Sequence, residues 1–372
     1  MKMKNRAVKN VGYLLVLAPQ ILLVIGAYTG FFWLSVLFFF VVLPVLRKFV
    51  GNDLSEPNRK PSKAVGVFLR AIPRAYVILW AVVLPWCVWF LATHTMSLMD
   101  CISFALALWI VSSLNTAIGH ELIHARSSFD RRLGAVLIAS VGYFHFPEEH
   151  LSHHARTGHY YGGDAAVPGT SIYAYAASRY IRSLGYAWEY EIFRLKRTKK
   201  SWIANRLFRR AVVPVLIGTI FAIYAGKVGL AIYLFQVFGA AFSVQAITYL
   251  QHWGLSEKET PELGDFGFSW EDGCWMQACI TLNHAFHGQH HLVISRPYYE
   301  LGAVKGGLAL PASYPVMFVV ALVPPFFTRI MKCRLDTWIR DFEIRETLEH
   351  QSDCIGTTML AKALKAGHLT HL

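Results

Sequence analysis

Long apolar runs alternate with short polar and basic stretches over the first two thirds of this 372-residue chain. A helix that crosses a bilayer needs about 20 mostly apolar residues. Short connections link the apolar runs in pairs, so the helices that they form are expected to be hairpins. The pattern therefore predicts an all-α membrane fold of six transmembrane helices in three hairpins, at about 11–27, 30–46, 75–93, 99–118, 211–226 and 228–250.

Two further apolar stretches, 133–147 and 308–328, do not fit as single spans. A span at the first would place the histidine motifs on its two sides on opposite membrane faces, and the second contains four prolines. We interpret both as re-entrant or interfacial segments. In this interpretation residues 1–334 form one membrane domain and residues 335–372 form a cytoplasmic C-terminal tail.

Composition supports membrane insertion. Hydrophobic residues make up 55% of the chain and charged residues 16%, whereas soluble domains carry about 25% charged residues. The six cysteines include no CxxC pair, which argues against a disulfide framework or a thiolate zinc site.

The net charge of +13 is best explained by topology. Basic residues are frequent in 47–74 and 194–210, and the positive-inside rule then places both termini and the long loops in the cytoplasm. No nucleic-acid-binding pattern accompanies this charge, so no nucleic-acid partner is expected.

Nine of the sixteen histidines lie in four short clusters. His120 and His124 stand in HELIH, where the i, i+4 spacing puts both rings on one helix face. His120 follows the fourth predicted span and His252 follows the sixth, so all nine are expected at one membrane face. The other clusters, EHLSHH, QHWG and HGQHH, contain His150, His153, His154, His252, His287, His290 and His291.

Imidazole nitrogen binds iron, copper, zinc and nickel. Nine imidazoles suffice for two metal ions with four or five ligands each. Carboxylates are expected to support such a cationic centre. His284, one helical turn before His287, is expected to support the centre and not to bind metal. His145 and His159 are expected either to be structural or to support the ligands from outside. The candidate carboxylates are Glu121, Glu148, Glu149 and Asp164.

Other metal-binding classes fit less well. HELIH alone matches the HExxH pattern of zinc peptidases, with Glu121 as general base. Such a site needs only one further ligand, and seven more clustered histidines disfavour it. A metal transporter needs ionisable residues deep in its spans, and the six predicted spans are almost free of them.

As a set, the four clusters resemble the histidine boxes of the membrane-bound alkane hydroxylases and xylene monooxygenases. These proteins belong to the membrane fatty-acid desaturase and hydroxylase superfamily. The resemblance covers about residues 75–335 and includes Asn115-Thr116 and Leu310–Pro325. The boxes stand here at His120–His124, Glu149–His154, His252–Gly254 and His287–His291.

The resemblance implies six transmembrane helices with a cytoplasmic di-iron cap, in which the nine histidines bind two non-haem iron ions. It implies O2-dependent hydroxylation of an apolar hydrocarbon from the bilayer, at a terminal alkyl or benzylic methyl C–H bond. It also implies a rubredoxin or ferredoxin-type electron donor with its NAD(P)H reductase, and a bacterial inner membrane with the active site in the cytoplasm. A desaturase or decarboxylating oxidase that forms an alkene stays open as the alternative.

Several positions depart from the family pattern. Two residues separate the first histidine of the second box from its HH pair, where alkane hydroxylases typically have three. Gln251 replaces the usual glutamate, Trp253 replaces tyrosine, and Arg126 stands where lysine is common. These differences leave the substrate open. The substrate pocket is expected among the spans, with candidate lining residues Trp86, Trp89, Phe90, Trp109 and Phe242.

Overall fold

The computed structural model describes residues 6–53, 60–160 and 163–365. Within these residues the fold is almost entirely helical. The α-helices are α1 (Arg6–Gly12), α2 (Ala18–Thr29), α3 (Leu34–Leu37), α4 (Leu43–Val50), α5 (Lys63–Thr93), α6 (Leu98–Ile123), α7 (Ser128–Ser140), α8 (Phe146–Ala155), α9 (Ile172–Arg197), α10 (Arg206–His252), α11 (Trp275–Ile280), α12 (His287–Leu292), α13 (Tyr314–Ala321) and α14 (Pro324–Lys365). The strands β1 (Trp270–Glu271) and β2 (Leu308–Ala309) pair in parallel.

Four helical segments of the described chain are long and apolar enough to cross a membrane: Ala7–Thr29, Lys63–Thr93, Leu98–Ile123 and Arg206–His252. The fourth is broken at Gly226, whose φ of 64° is in the left-handed region that favours glycine. Phe221 before the break stacks on Tyr233 after it, with ring centroids 5.1 Å apart. The break therefore folds α10 into a hairpin at the predicted boundary between the fifth and sixth spans. The chain is an all-α integral membrane protein.

The predicted second span, 30–46, is not one of these four long segments. It is divided into α3, a π-helical turn at Phe38–Val42, and α4. The apolar stretch 133–147 overlaps the short helix α7, which begins earlier at Ser128. The stretch 308–328 contains α13 and the start of α14 at Pro324. Neither α7 nor α13 reaches the length that a single crossing requires.

The sequence at each end of α6 positions the first histidines. Ser97 and Asp100 form a reciprocal capping box at the start of the helix, with both N–H···O distances at 3.2 Å. Near the other end, a Cβ on Gly119 would lie 2.3 Å from the Ile138 side chain of α7. Only glycine at this position lets α7 pack so closely, directly beside His120.

The segments that follow α10 form a layer beside the third histidine box, which lies at the end of α10, and this layer contains the fourth box. Ala166 and Gly254 pair through a backbone hydrogen bond of 2.9 Å, which fixes the end of α10. α14 runs without interruption across the predicted domain boundary at 334/335. The Trp338 indole N–H donates to the Gly306 carbonyl at 2.9 Å, so the first turns of the predicted tail pack on this layer. Residues 366–372 of that tail lie outside the described residues.

Candidate metal centre

The nine predicted histidines gather in two adjacent groups that could each hold a metal ion. Within each group, one nitrogen from every ring lies within 4.8 Å of the others. The rings come from the ends of α6 and α10 and from α8 and α12. The first group is His120, His124, His150, His154 and His290, and the second is His153, His252, His287 and His291.

Helix geometry explains how the histidines divide between the groups. Successive residues of an α-helix are rotated by about 100°, so residues i and i+4 nearly superpose and adjacent residues diverge. In α8, His150 and His154 therefore join the first group while His153 joins the second. The same spacing in α12 places His287 and His291 in the second group and His290 in the first.

The ring nitrogens approach one another in a way that hydrogen bonds do not explain. The Nε2 atom of His150 lies 2.8 Å from the Nε2 atoms of His120, His124 and His154. An imidazole nitrogen has either one N–H or one lone pair, so it cannot make three such bonds at once. Nitrogens that converge in this way have the arrangement of ligand atoms around a metal ion.

Burial keeps these rings neutral. Burial, followed by the neighbouring histidines, lowers the pKa values of His150, His153, His287, His290 and His291 well below the usual range. Burial lowers the pKa of His124 to about 4. Burial, with a smaller contribution from His124, lowers the pKa of His154 to about 3. At pH 7 these rings therefore keep the lone pair that a metal ion needs.

Polar groups fix several rings of the second group from outside. The Asp164 carboxylate oxygen Oδ2 lies 3.0 Å from Nδ1 of His153. Nδ1 of His252 lies 2.7 Å from the Phe268 carbonyl. Nδ1 of His291 lies 2.8 Å from the Thr157 hydroxyl. Outer contacts of this kind set the tautomer and orientation of metal-binding histidines.

The other predicted acidic residues have different partners. Glu149 forms a buried ion pair with Arg179 at 2.8 Å, and burial raises its pKa although Arg179 opposes the shift. Glu148 pairs with Arg206 and Arg210. The Glu121 carboxylate accepts the backbone N–H of Tyr298 at 3.4 Å.

His284 lies between the two groups. Its ring centroid is 4.5 Å from that of His120 and 4.9 Å from that of His287. Burial lowers its pKa to about 4. His284 belongs to neither of the two groups described above.

Two buried charged residues near the site were not predicted from the sequence. Besides Glu149, Arg179 contacts Gln245 at 2.9 Å and Nδ1 of His153 at 3.4 Å. The Glu271 carboxylate accepts the backbone N–H groups of Gly288 and Val304, each at 3.1 Å, and so holds the start of α12. The signal that could have identified the arginine is its position as a single charge in the aromatic and apolar stretch YAYAASRY of α9.

A cavity extends from the histidines into the membrane helices. His120 and His150 of the first group and His153 and His287 of the second line one end. Most of the remaining lining is apolar and includes Phe40, Trp109, Ile110, Leu114 and Phe318. The buried Glu149–Arg179 pair also lines the cavity.

Of the five aromatic residues expected to line the pocket, Trp109 does so. Trp86 packs on Phe90, with ring centroids 5.3 Å apart, and Trp89 is half exposed. Phe242 packs on Phe318, with ring centroids 6.0 Å apart. These four residues do not line the described cavity.

Comparison with known proteins agrees with this geometry. The fatty acid desaturase family model matches residues 94–320, which include all nine histidines. This chain belongs to the fatty acid desaturase family. Relatives of this desaturase-family chain include alkane 1-monooxygenase 2 of Alcanivorax borkumensis, which is 26% identical over 82% of this chain and 83% of the relative. The alkane 1-monooxygenase of Pseudomonas putida is 27% identical over 83% of this chain and 79% of the relative. The resemblance drawn from the four boxes is thus confirmed.

Proposed function

We propose that this desaturase-family chain is an O2-dependent non-haem di-iron monooxygenase that hydroxylates an apolar substrate at a terminal alkyl or benzylic methyl C–H bond. One oxygen atom enters the product, and the other leaves as water with two electrons and two protons. The cavity carries this proposal, because rings of both histidine groups form one end and mostly apolar side chains of the membrane helices form the walls. The relatives named alkane 1-monooxygenase support the reaction class.

The five histidines of the first group would hold one iron ion and the four of the second group the other. Bound iron would supply the activation of O2, which no protein side chain can perform. The chain's own residues would position and shield the reaction. Asp164 would orient His153 and offset positive charge, and the apolar walls would align an alkyl chain and exclude water.

The membrane arrangement is part of the proposal. Residues 34–50 would form the second of six crossings, and the two halves of α10 would form the fifth and sixth. Residues 1–334 would carry the site, residues 335–372 would form a cytoplasmic tail, and the termini and histidines would face the cytoplasm of a bacterial inner membrane. Basic segments such as 194–210 would attract an acidic rubredoxin or ferredoxin-type donor, which an NAD(P)H reductase would reduce.

Desaturation is the second candidate, because the matching family model describes fatty acid desaturases. It attacks the same kind of C–H bond but releases an alkene. A zinc peptidase is disfavoured, since the Glu121 carboxylate contacts the Tyr298 backbone and nine histidines surround the site.

Product analysis separates these reactions. The iron-loaded protein, supplied with rubredoxin, its reductase, NADH and ¹⁸O2, is given octane or xylene. We expect ¹⁸O-labelled octan-1-ol or methylbenzyl alcohol. An alkene from octane would instead support desaturation, and the absence of both O2 uptake and product would contradict the oxygenase proposal.

A further inference from the structure

The cavity follows α6 away from the histidines. Among the α6 residues that line it, Trp109 lies farthest along the helix from His120. At a rise of ~1.5 Å per residue, the two positions are ~16 Å apart. An extended alkyl chain advances ~1.2 Å per bond, the same advance as in an extended polypeptide backbone. The distance between the two positions therefore matches an alkyl chain of roughly a dozen carbons.

Trp109 is held in place at this far end. Its indole N–H donates to the Ser243 hydroxyl of α10 at 2.9 Å, and Ser113 donates to the same oxygen at 3.0 Å. Its ring centroid lies 5.9 Å from that of Phe318. A Cβ on Gly239 would lie 2.4 Å from Cδ1 of Trp109, so the indole occupies the space above this glycine.

The direction in which the Trp109 side chain points follows from the direction of α6. Side chains of a helix lean toward its N-terminus, which for α6 is the end away from His120. The indole therefore covers the far end of the cavity, and α10 prevents it from withdrawing because Ser243 and Gly239 contact it on that side.

We infer that Trp109 is a specificity-determining residue, which sets the depth of the cavity and thereby the longest alkyl chain that is hydroxylated. This inference rests on the proposed function and goes further by naming a linear alkyl chain, stretched from the histidines to the Trp109 indole, as the substrate class. Ser243 and Gly239 act through Trp109 and position it.

The test compares hydroxylation of n-alkanes from hexane to hexadecane by the reconstituted iron-loaded enzyme. A methylene in an apolar pocket changes kcat/KM by about tenfold or more. Trp109→Ala should therefore raise the ratio of hexadecane to octane turnover by at least about tenfold. Trp89→Ala is the matched control, because Trp89 is half exposed on α5 and does not line the cavity.

A second pair of variants tests the effect of making the cavity shallower. Gly239→Ala should push the indole into the cavity and shift the preference toward shorter alkanes. Adding Trp109→Ala to Gly239→Ala removes the clash and should restore turnover of long alkanes. The melting temperature of each variant separates a change in the cavity from a folding defect. Gly185→Ala is the matched glycine control, since nothing lies within 4 Å of a Cβ built there.

Thermal stabilisation by the same alkanes, measured without O2 or reductant, reports binding independently of catalysis. The longest alkane that stabilises the protein should increase in Trp109→Ala. If the wild-type enzyme forms no product but this shift occurs, the proposed function fails and the inference about depth stands. If both the product profile and the stabilisation profile of folded Trp109→Ala match those of wild type, Trp109 does not set the depth.

Discussion

The carboxylate of Asp164 lies 3.0 Å from the Nδ1 atom of His153, and both side chains are buried. The Nε2 atom of the His153 ring faces the second group, 3.1 Å from Nε2 of His291. Asp164 also accepts the backbone N–H of Gly158 through its other oxygen at 3.0 Å. One buried carboxylate thus fixes both a histidine ring and the loop that follows α8.

Replacing Asp164 by asparagine tests this support. The amide oxygen can still accept from Gly158, but the negative charge beside His153 is lost. Loss of such an outer partner typically costs about 10–100-fold in metal affinity. Iron retention against a chelator should fall by that factor in Asp164→Asn and stay unchanged in Asp265→Asn, whose side chain is exposed. Equal retention in both variants would contradict the assigned role of Asp164.

Single histidine substitutions test whether there are two metal sites. His154→Ala removes a ring from the first group, and His291→Ala removes one from the second. Each should lower the iron content below two ions per chain, more strongly in His291→Ala because only three rings then remain in the second group. His94→Ala, at the exposed turn before α6, should keep both ions. Elemental analysis of the purified variants gives the stoichiometry. Loss of all iron from each of the two site variants would favour a single shared site.

The buried Arg179–Glu149 ion pair should contribute strongly to stability. Arg179→Met leaves the Glu149 carboxylate without its cation, and such losses cost about 3–5 kcal/mol. The melting temperature in detergent should fall clearly in this variant and stay near wild type in Arg197→Met, an exposed residue of the same helix. Adding Glu149→Gln should recover part of the loss, because the unpaired charge is then gone. An unchanged melting temperature in Arg179→Met would contradict this prediction and would mean that Glu149 is protonated or hydrogen-bonded to water in the variant.

Acid should destabilise the metal-free protein in a defined pH range. Burial lowers the pKa of His124 to about 4, whereas an unfolded histidine titrates near 6.5. Between these values the unfolded chain binds more protons than the folded one, so stability falls as pH decreases from about 6.5 to 4. For His124 alone the loss is roughly 3 kcal/mol. Melting temperatures of the iron-free protein should decline through this range, and a flat profile would contradict the burial of neutral histidines.

The sequence predicted the helices and the nine histidines for two physical reasons. A bilayer requires long apolar helices, and the i, i+3, i+4 spacing in HxxHH turns the rings toward two neighbouring points. The same reasoning located the hairpin at Gly226, where a short polar interruption separates two apolar runs. The segment 30–46 was predicted as one continuous span, whereas the structure has a π-helical turn between two short helices there.

Residues that support the histidines were harder to find, because their contacts span long sequence separations. Arg179 was not singled out in the sequence, and only the fold shows that it lies against Glu149 and His153. The Phe268 carbonyl reaches His252 through a backbone with a φ of 46°, which sequence patterns do not reveal. Asp164 was predicted as a carboxylate near the second box, but its partner ring was not.

The di-iron oxygenase assignment is tested most directly by the metal content of protein purified from iron-replete cells, measured together with its reductant-dependent O2 uptake. We expect two iron ions per chain and O2 uptake that depends on an apolar substrate and an electron donor. A folded protein that holds zinc, or that binds no iron under these conditions and consumes no O2 with a competent donor, would contradict this assignment.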